Sequence, residues 1–90
     1  MYFILSNQSK ANIANLITKK INDRFDGNLS KAAKYLGIPR TTLRDTVAYG
    51  VVTQSTILRV VPALFKITPE EFFQTYDHII MTDSPPEQTL

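Results

Sequence analysis

The chain has 90 residues, of which 43% are hydrophobic and 20% charged, a composition typical of a single folded domain with one small core. It contains no cysteine and one histidine, which excludes disulfides, cysteine-bound zinc and a thiol nucleophile. All ten basic residues and three of the eight acidic residues fall within residues 1–66, so this part carries +7 and residues 67–90 carry −5.

The first predicted elements are an apolar segment and a long helix. Residues 1–5 are β-prone and fit either an edge strand or a loose arm. A polar stretch with good N-cap residues follows, and then Ile13, Ile17 and Ile21 recur at every fourth position. We therefore predict an amphipathic first helix that ends at Gly27, since glycine accepts the left-handed conformation after a helix.

Residues 28–50 predict two short helices joined by a tight turn. Asn28 is a good N-cap for a second helix from Leu29 to Leu36. Gly37 ends this helix because it accepts a positive φ without a steric clash. A third helix is predicted from about Arg40 to Ala48.

Two further helices are predicted after this pair. Residues 53–65 have a broad apolar face, but Pro62 would remove a hydrogen bond inside a helix. The fourth helix is therefore either bent at this proline or begins later. Residues 68–71 predict the start of a fifth helix, since Thr68 can cap it and Glu71 can close a capping box.

The C-terminal residues complete the predicted architecture. Residues 78–82 are β-prone and could pair with residues 1–5 in a small two-stranded sheet, within one chain or between two. Residues 83–90 are polar and contain two prolines, and we expect them to be disordered. The predicted fold is an all-α, five-helix bundle, with residues 1–82 as one domain and the small sheet as an optional addition.

The spacing of Ala33, Gly37 and Leu43 is that of a helix-turn-helix, in which a small residue, a turn glycine and an apolar plug let two helices cross closely. An ordinary helical hairpin uses the same residues, so this alternative remains open. The predicted outward positions of the third helix are Arg40, Thr41, Arg44 and Asp45. Asp45 fits either a pair with Arg44 or a lysine, or an acceptor for a cytosine amino group. Two arginines one turn apart suit a groove lined by phosphates and base edges, and this favours DNA binding by residues 28–50.

Two known groups of DNA-binding proteins are similar to parts of this sequence. Residues 27–44, GNLSKAAKYLGIPRTTLR, resemble the Fis-type helix-turn-helix, which has Gly-Asn, Ala-Ala, Leu-Gly-Ile and Arg-x-Thr-Leu-Arg at these spacings. Residues 58–72, LRVVPALFKITPEEF, resemble the last two helices of the lambda repressor/Cro (XRE-type) group. This second resemblance implies a lambda-repressor-like bundle whose third helix contacts DNA.

The resemblance also implies roles for single residues. Arg40 matches the position that reaches a guanine edge, and Arg44 fits either a base or the backbone. The residues expected near phosphates are Asn28, Lys31, Lys34, Thr42, Thr53 and Gln54. Two such proteins bind successive major grooves as a homodimer. The apolar candidates for the dimer surface are Tyr2, Ile4, Phe72, Phe73, Ile79 and Ile80.

Two functions are compatible with this sequence. The first is a sequence-specific regulator of the Cro or repressor type, from a phage or mobile element, that binds a near-palindromic operator in double-stranded DNA as a homodimer. The second is a protein-interaction module, an antirepressor or adaptor, that binds another regulator through its acidic C-terminal part. No catalytic set of residues can be assembled, and no apolar run approaches the ~18–20 residues of a membrane span. We expect a non-enzymatic cytoplasmic protein, nucleoid-associated when bound to DNA, without metal or cofactor.

Overall fold

The computed structural model describes residues 6–81, and the regular structure in this range is entirely helical. The helices are α1 (Asn7–Phe25), α2 (Leu29–Leu36), α3 (Arg40–Tyr49), α4 (Val61–Phe65), α5 (Pro69–Thr75) and α6 (Asp77–Ile80), with a π-helical turn at Thr56–Val60 directly before α4. The predicted all-α fold is confirmed. Among the helices of residues 6–81, none has both the length and the apolar character that crossing a membrane requires.

The core is built around α1, which packs against α2, α3, α4 and α6. The isoleucine stripe predicted from the spacing is buried: Ile13 and Ile17 have no exposed surface and Ile21 has 1%. Side chains from the other helices close the core around this stripe: Ala32, Leu43, Val61, Leu64, Phe72 and Ile80. The helical period of α1 thus identifies its core-facing side.

Side-chain caps account for the helix starts that the sequence predicts. At the start of α2, Asn28 Oδ1 accepts a hydrogen bond from the Lys31 backbone N–H at 3.0 Å. At the start of α5, the Thr68 hydroxyl accepts from the Glu71 N–H at 3.1 Å, and the Glu71 carboxylate accepts from the Thr68 N–H at 3.1 Å. These bonds satisfy N–H groups that the first turn of a helix leaves without a partner.

Removal of the α5 cap should destabilise the protein measurably. Thr68→Ala deletes the acceptor at the N-terminus of α5, and we expect it to lower the free energy of unfolding by about 1 kcal/mol. Thr75→Ala, at an exposed position in the last turn of the same helix, is the control and should cost less than about 0.5 kcal/mol. Chemical denaturation followed by circular dichroism measures both changes. Equal losses in the two variants would show that the cap is not the cause.

The fourth helical segment accommodates Pro62 by a change in hydrogen bonding. Just before α4, the Val61 N–H donates to the Thr56 carbonyl five residues back, which makes this turn π-helical. The regular α-helix then begins with Pro62 in its first turn, where the missing N–H costs little. Helical structure itself starts at Gln54, as the predicted cap near Thr53 requires, and the π-helical turn keeps the segment continuous through Pro62.

Residues 78–80 form a helix, so the predicted strand at residues 78–82 is wrong over this part. Asn12 of α1 is buried, and its Nδ2 donates to the Ile79 carbonyl at 3.0 Å and to the Ile80 carbonyl at 3.2 Å. These bonds satisfy carbonyl groups at the end of α6, and burial of the Ile80 side chain holds it against the core. A tertiary contact thus overrides the local β-propensity. The other half of the predicted sheet, at residues 1–5, and the predicted tail at residues 83–90 lie outside the described residues.

Candidate nucleic-acid interface

The packing of α2 on α3 follows the predicted turn geometry. Gly37 has a φ of 70°, and a Cβ built there would meet no neighbouring atom within 4 Å, so the backbone angle rather than space requires glycine. The Ile38 N–H donates to the Ala33 carbonyl at 3.1 Å and closes the end of α2. Ala33 and Leu43 are 3% and 0% exposed. The packing roles predicted for these residues are confirmed.

The third helix turns one side to the core and the opposite side to solvent. Leu43 and Thr46 are buried, and Val47 is partly buried against the core. The exposed residues of α3 are Arg40, Thr41, Thr42, Arg44, Ala48 and Tyr49. Both arginines proposed for DNA contact therefore lie on the outward side of the helix.

The N-terminus of α3 differs from that of α2 in its cap. Pro39 occupies the N-cap position and makes no side-chain hydrogen bond there, whereas Asn28 caps α2 through its side chain. The positive end of the α3 dipole is therefore not offset by a side-chain acceptor, and Arg40 adds a full positive charge at this end. This arrangement favours an anionic partner at the start of α3.

Asp45 is the acidic residue of α3, and it pairs with its neighbour. Arg44 Nη2 lies 3.2 Å from Asp45 Oδ1, and the two side chains keep 51% and 42% of their surface exposed. An ion pair this exposed is screened by water and contributes little to stability. The pair therefore opens at low cost when a partner approaches α3.

The residues predicted to lie near phosphates include exposed side chains and helix caps. Asn28 Oδ1 is engaged with the Lys31 N–H at 3.0 Å. Thr53 Oγ1 accepts from the Thr56 N–H at 3.3 Å, at the start of the helical segment that begins at Gln54. These two side chains have a structural role in the free protein, which reduces their availability for phosphate. The remaining candidates, all exposed, are Lys31, Lys34, Thr42 and Gln54.

Two of the predicted dimer residues belong to the core of the single chain. Phe72 and Ile80 have no exposed surface, so the prediction that they contact a second copy is wrong. Phe72 is enclosed by other rings, with centroids 5.0 Å away in Phe65 and 5.2 Å away in Tyr76. On a short helix, apolar core residues and apolar dimer-surface residues have the same spacing, so the sequence did not distinguish the two roles. The other candidates are Phe73 and Ile79, which are partly buried, and Tyr2 and Ile4, which lie outside the described residues.

Arg24 is a structural residue that the sequence analysis did not single out. Its Nη1 donates to the Leu64 carbonyl at 2.6 Å, and its guanidinium carbon lies 4.9 Å from the ring centroid of Tyr35. Hydrogen bonding to this guanidinium lowers the pKa of the Tyr35 hydroxyl. Arg24 thus connects the end of α1 to both α2 and α4 and holds the α2–α3 unit on the bundle. Only the tertiary contact distinguishes it from the arginines of α3.

Comparison with known families gives a match over the helix-turn-helix. Residues 23–45 match the family described as bacterial regulatory protein, Fis family, over the end of α1, all of α2, the turn and the first part of α3. The chain contains a DNA-binding helix-turn-helix. No curated protein and no solved structure matches the chain. The Fis-family match does not reach residues 58–72, so the resemblance of this part to the lambda repressor/Cro group stays a prediction.

Metal chemistry has no candidate residues near the helix-turn-helix. Across residues 6–81, no three His, Asp or Glu side chains lie close enough together to hold an ion. What the described surface offers instead is an exposed helix with two arginines and neighbouring hydroxyl groups. These groups donate hydrogen bonds and positive charge, which is the chemistry that a DNA groove requires.

Proposed function

We propose that the protein is a sequence-specific regulator that binds double-stranded DNA with α3 of its helix-turn-helix in the major groove. The observation that carries the proposal is the outward position of Arg40 and Arg44, one turn apart on the helix that follows Gly37. Arginine can make two parallel hydrogen bonds to O6 and N7 of guanine. The exposed lysines of α2, Lys31 and Lys34, supply positive charge beside α3 for the phosphate backbone.

The proposal includes a homodimer on a near-palindromic operator. One helix-turn-helix makes too few contacts for a typical specific affinity, and two of them in successive major grooves read half-sites about 34–36 Å apart. Partly exposed Phe73 and Ile79, together with Tyr2 and Ile4, are the residues proposed for the dimer surface. By its resemblance to Cro-like proteins, the dimer would act as a repressor of a phage or mobile element that occludes a promoter.

Selection from a pool of random duplexes tests this function directly. The full chain is incubated with the pool, bound duplexes are recovered through several rounds, and the recovered sequences are aligned. We expect an inverted repeat whose half-sites are centred about one helical turn apart. A pool that stays random although the protein binds DNA would indicate architectural binding without sequence preference, and absence of binding at every salt concentration would contradict the proposal.

Lys34→Ala should weaken binding to all duplexes by a similar factor. Lys34 is exposed on α2, and loss of one phosphate contact should reduce the slope of log affinity against log salt by about one unit without a change in base preference. Lys20→Ala removes the same charge elsewhere and is the control, because Lys20 Nζ lies 5.3 Å from the centroid of the Phe65 ring. Fluorescence anisotropy at several salt concentrations measures both slopes. Equal salt slopes in Lys34→Ala and the wild type would show that Lys34 does not contact a phosphate.

The alternative of a protein-interaction module is supported by the acidic residues of α5 and α6. Glu70 and Asp77 are exposed there, on a part of the chain that carries no positive charge after Lys66. Such a module would bind a basic surface of another regulator and would not require the outward side of α3. The salt slope of binding to random duplex separates the two functions, since a DNA-binding protein shows a steep slope and an adaptor shows little binding at any salt concentration.

A further inference from the structure

The outward side of α3 carries one carboxylate among groups that suit DNA. Asp45 directly follows Arg44, and their side chains pair at 3.2 Å between Nη2 and Oδ1. Consecutive residues of an α-helix point in directions about 100° apart, so their spacing alone does not bring the two groups together. The two side chains nevertheless meet at the exposed surface, and in the free protein the pair occupies part of the surface that would enter the groove.

A carboxylate in this position has a cost for most DNA sequences. Double-stranded DNA carries one negative charge for about every 1.7 Å of its axis, so Asp45 is repelled by the backbone on approach. In the major groove, guanine O6 and N7 and thymine O4 are acceptors and cannot bond to a carboxylate, whereas the amino groups of cytosine and adenine donate to it. The adenine amino group lies beside the N7 acceptor, which repels a carboxylate, so cytosine is the better partner. Asp45 therefore fits a cytosine edge best, an adenine edge less well, and is unfavourable beside guanine and thymine.

We propose that Asp45 is a specificity-determining residue that acts mainly by exclusion. This inference rests on the proposed function, since it requires α3 in the major groove. On a cognate site, Asp45 accepts from a cytosine amino group and releases Arg44 to a guanine edge or a phosphate. Where guanine or thymine stands at this position, Asp45 either keeps Arg44 or faces acceptors, and both states weaken binding. Asp45 thus lowers affinity for non-cognate duplexes more than for the operator.

The test compares two Asp45 variants with a matched loss of charge. Asp45→Asn and Asp45→Ala remove the carboxylate from α3, and Glu70→Gln removes an exposed carboxylate from the first turn of α5. Binding of each full chain to random duplex and to the selected operator is measured at several salt concentrations. We expect the Asp45 variants to bind random duplex about threefold more tightly and to show an operator-to-random ratio about tenfold smaller. Glu70→Gln should stay within about twofold of wild type, because Glu70 lies on α5, outside the helix-turn-helix.

Repeated selection with Asp45→Ala locates the effect on the DNA. We expect one base pair of each half-site to lose its preference for cytosine opposite guanine, while the other positions keep theirs. Identical preferences for wild type and Asp45→Ala, or an equal gain in random-duplex affinity from Glu70→Gln, would overturn the inference. If the wild type binds no duplex, the proposed function fails and this inference fails with it. If the wild type binds duplex DNA but the Asp45 variants have the same ratio of operator affinity to random-duplex affinity, only the role of Asp45 is overturned.

Discussion

Alanine in place of Arg40 is expected to weaken operator binding by about 1–3 kcal/mol for each half-site and to relax the preference at one base pair. Arg40 is exposed at the first position of α3, and no side-chain acceptor caps this end of the helix. Within residues 6–81 the Arg40 guanidinium has no hydrogen bond or ion pair, so it can reach a base edge without losing a contact there. Binding to the operator and to versions with each of the other three base pairs at that position, at one salt concentration, measures both effects.

Arg40→Lys separates the charge of Arg40 from its hydrogen-bond geometry. Lysine keeps the positive charge but lacks the planar fork that matches guanine O6 and N7. We therefore expect affinity for random duplex and the salt slope to stay close to those of wild type, while the preference for guanine falls. Unchanged operator affinity and base preference in Arg40→Ala would show that the N-terminal end of α3 does not contact the bases.

Phe72→Ala is expected to lower the free energy of unfolding by about 3–5 kcal/mol. The Phe72 side chain has no exposed surface, and its ring packs at centroid distances of 5.0 Å from Phe65 and 5.6 Å from Phe73. Alanine would leave a cavity that the surrounding rings fill only in part. Since small domains are stable by about 5–15 kcal/mol, this loss would leave the protein close to unfolding at moderate temperature. Urea denaturation of wild type and variant measures it.

Phe73→Ala is the matched control, because it deletes a neighbouring ring that is only partly buried. A smaller loss of stability is expected, since part of this ring is already in water. The comparison at two protein concentrations also tests the revised placement of Phe72. If Phe72 is a core residue, Phe72→Ala should lower the denaturation midpoint by the same amount at both protein concentrations. A larger loss at the lower concentration would indicate a contact between two copies.

The helix-turn-helix was predictable from sequence because its determinants are local. Asn28 caps α2 through a bond to the backbone three residues ahead, and Gly37 supplies the positive φ that ends it. Leu29–Leu36 was predicted with the bounds that the structure shows, and α3 extends one residue beyond the predicted end. Interactions that span three to five residues are encoded in short segments, so pattern and spacing suffice to recognise them.

The positions of residues 72–80 were not predictable in the same way. Phe72 and Ile80 fit a dimer surface as well as a core, and residues 78–80 fit a strand as well as a helix. The hydrogen bonds from Asn12 to the carbonyls of Ile79 and Ile80 join residues 67 and 68 positions apart. The residues around Asn12 form no pattern that predicts such a contact, because asparagine has no propensity that indicates a distant partner.

The sequence by itself determined that this protein is helical, where α2 begins and ends, where α3 begins, and which side of α3 faces outward. These features follow from backbone caps, glycine conformations and apolar periodicity, all of which act within one or two turns. Only the tertiary structure decided that Phe72 and Ile80 are core residues and that Arg24 joins α1 to α2 and α4. Both features depend on which distant helices meet, and the spacing of residues along the chain does not encode this.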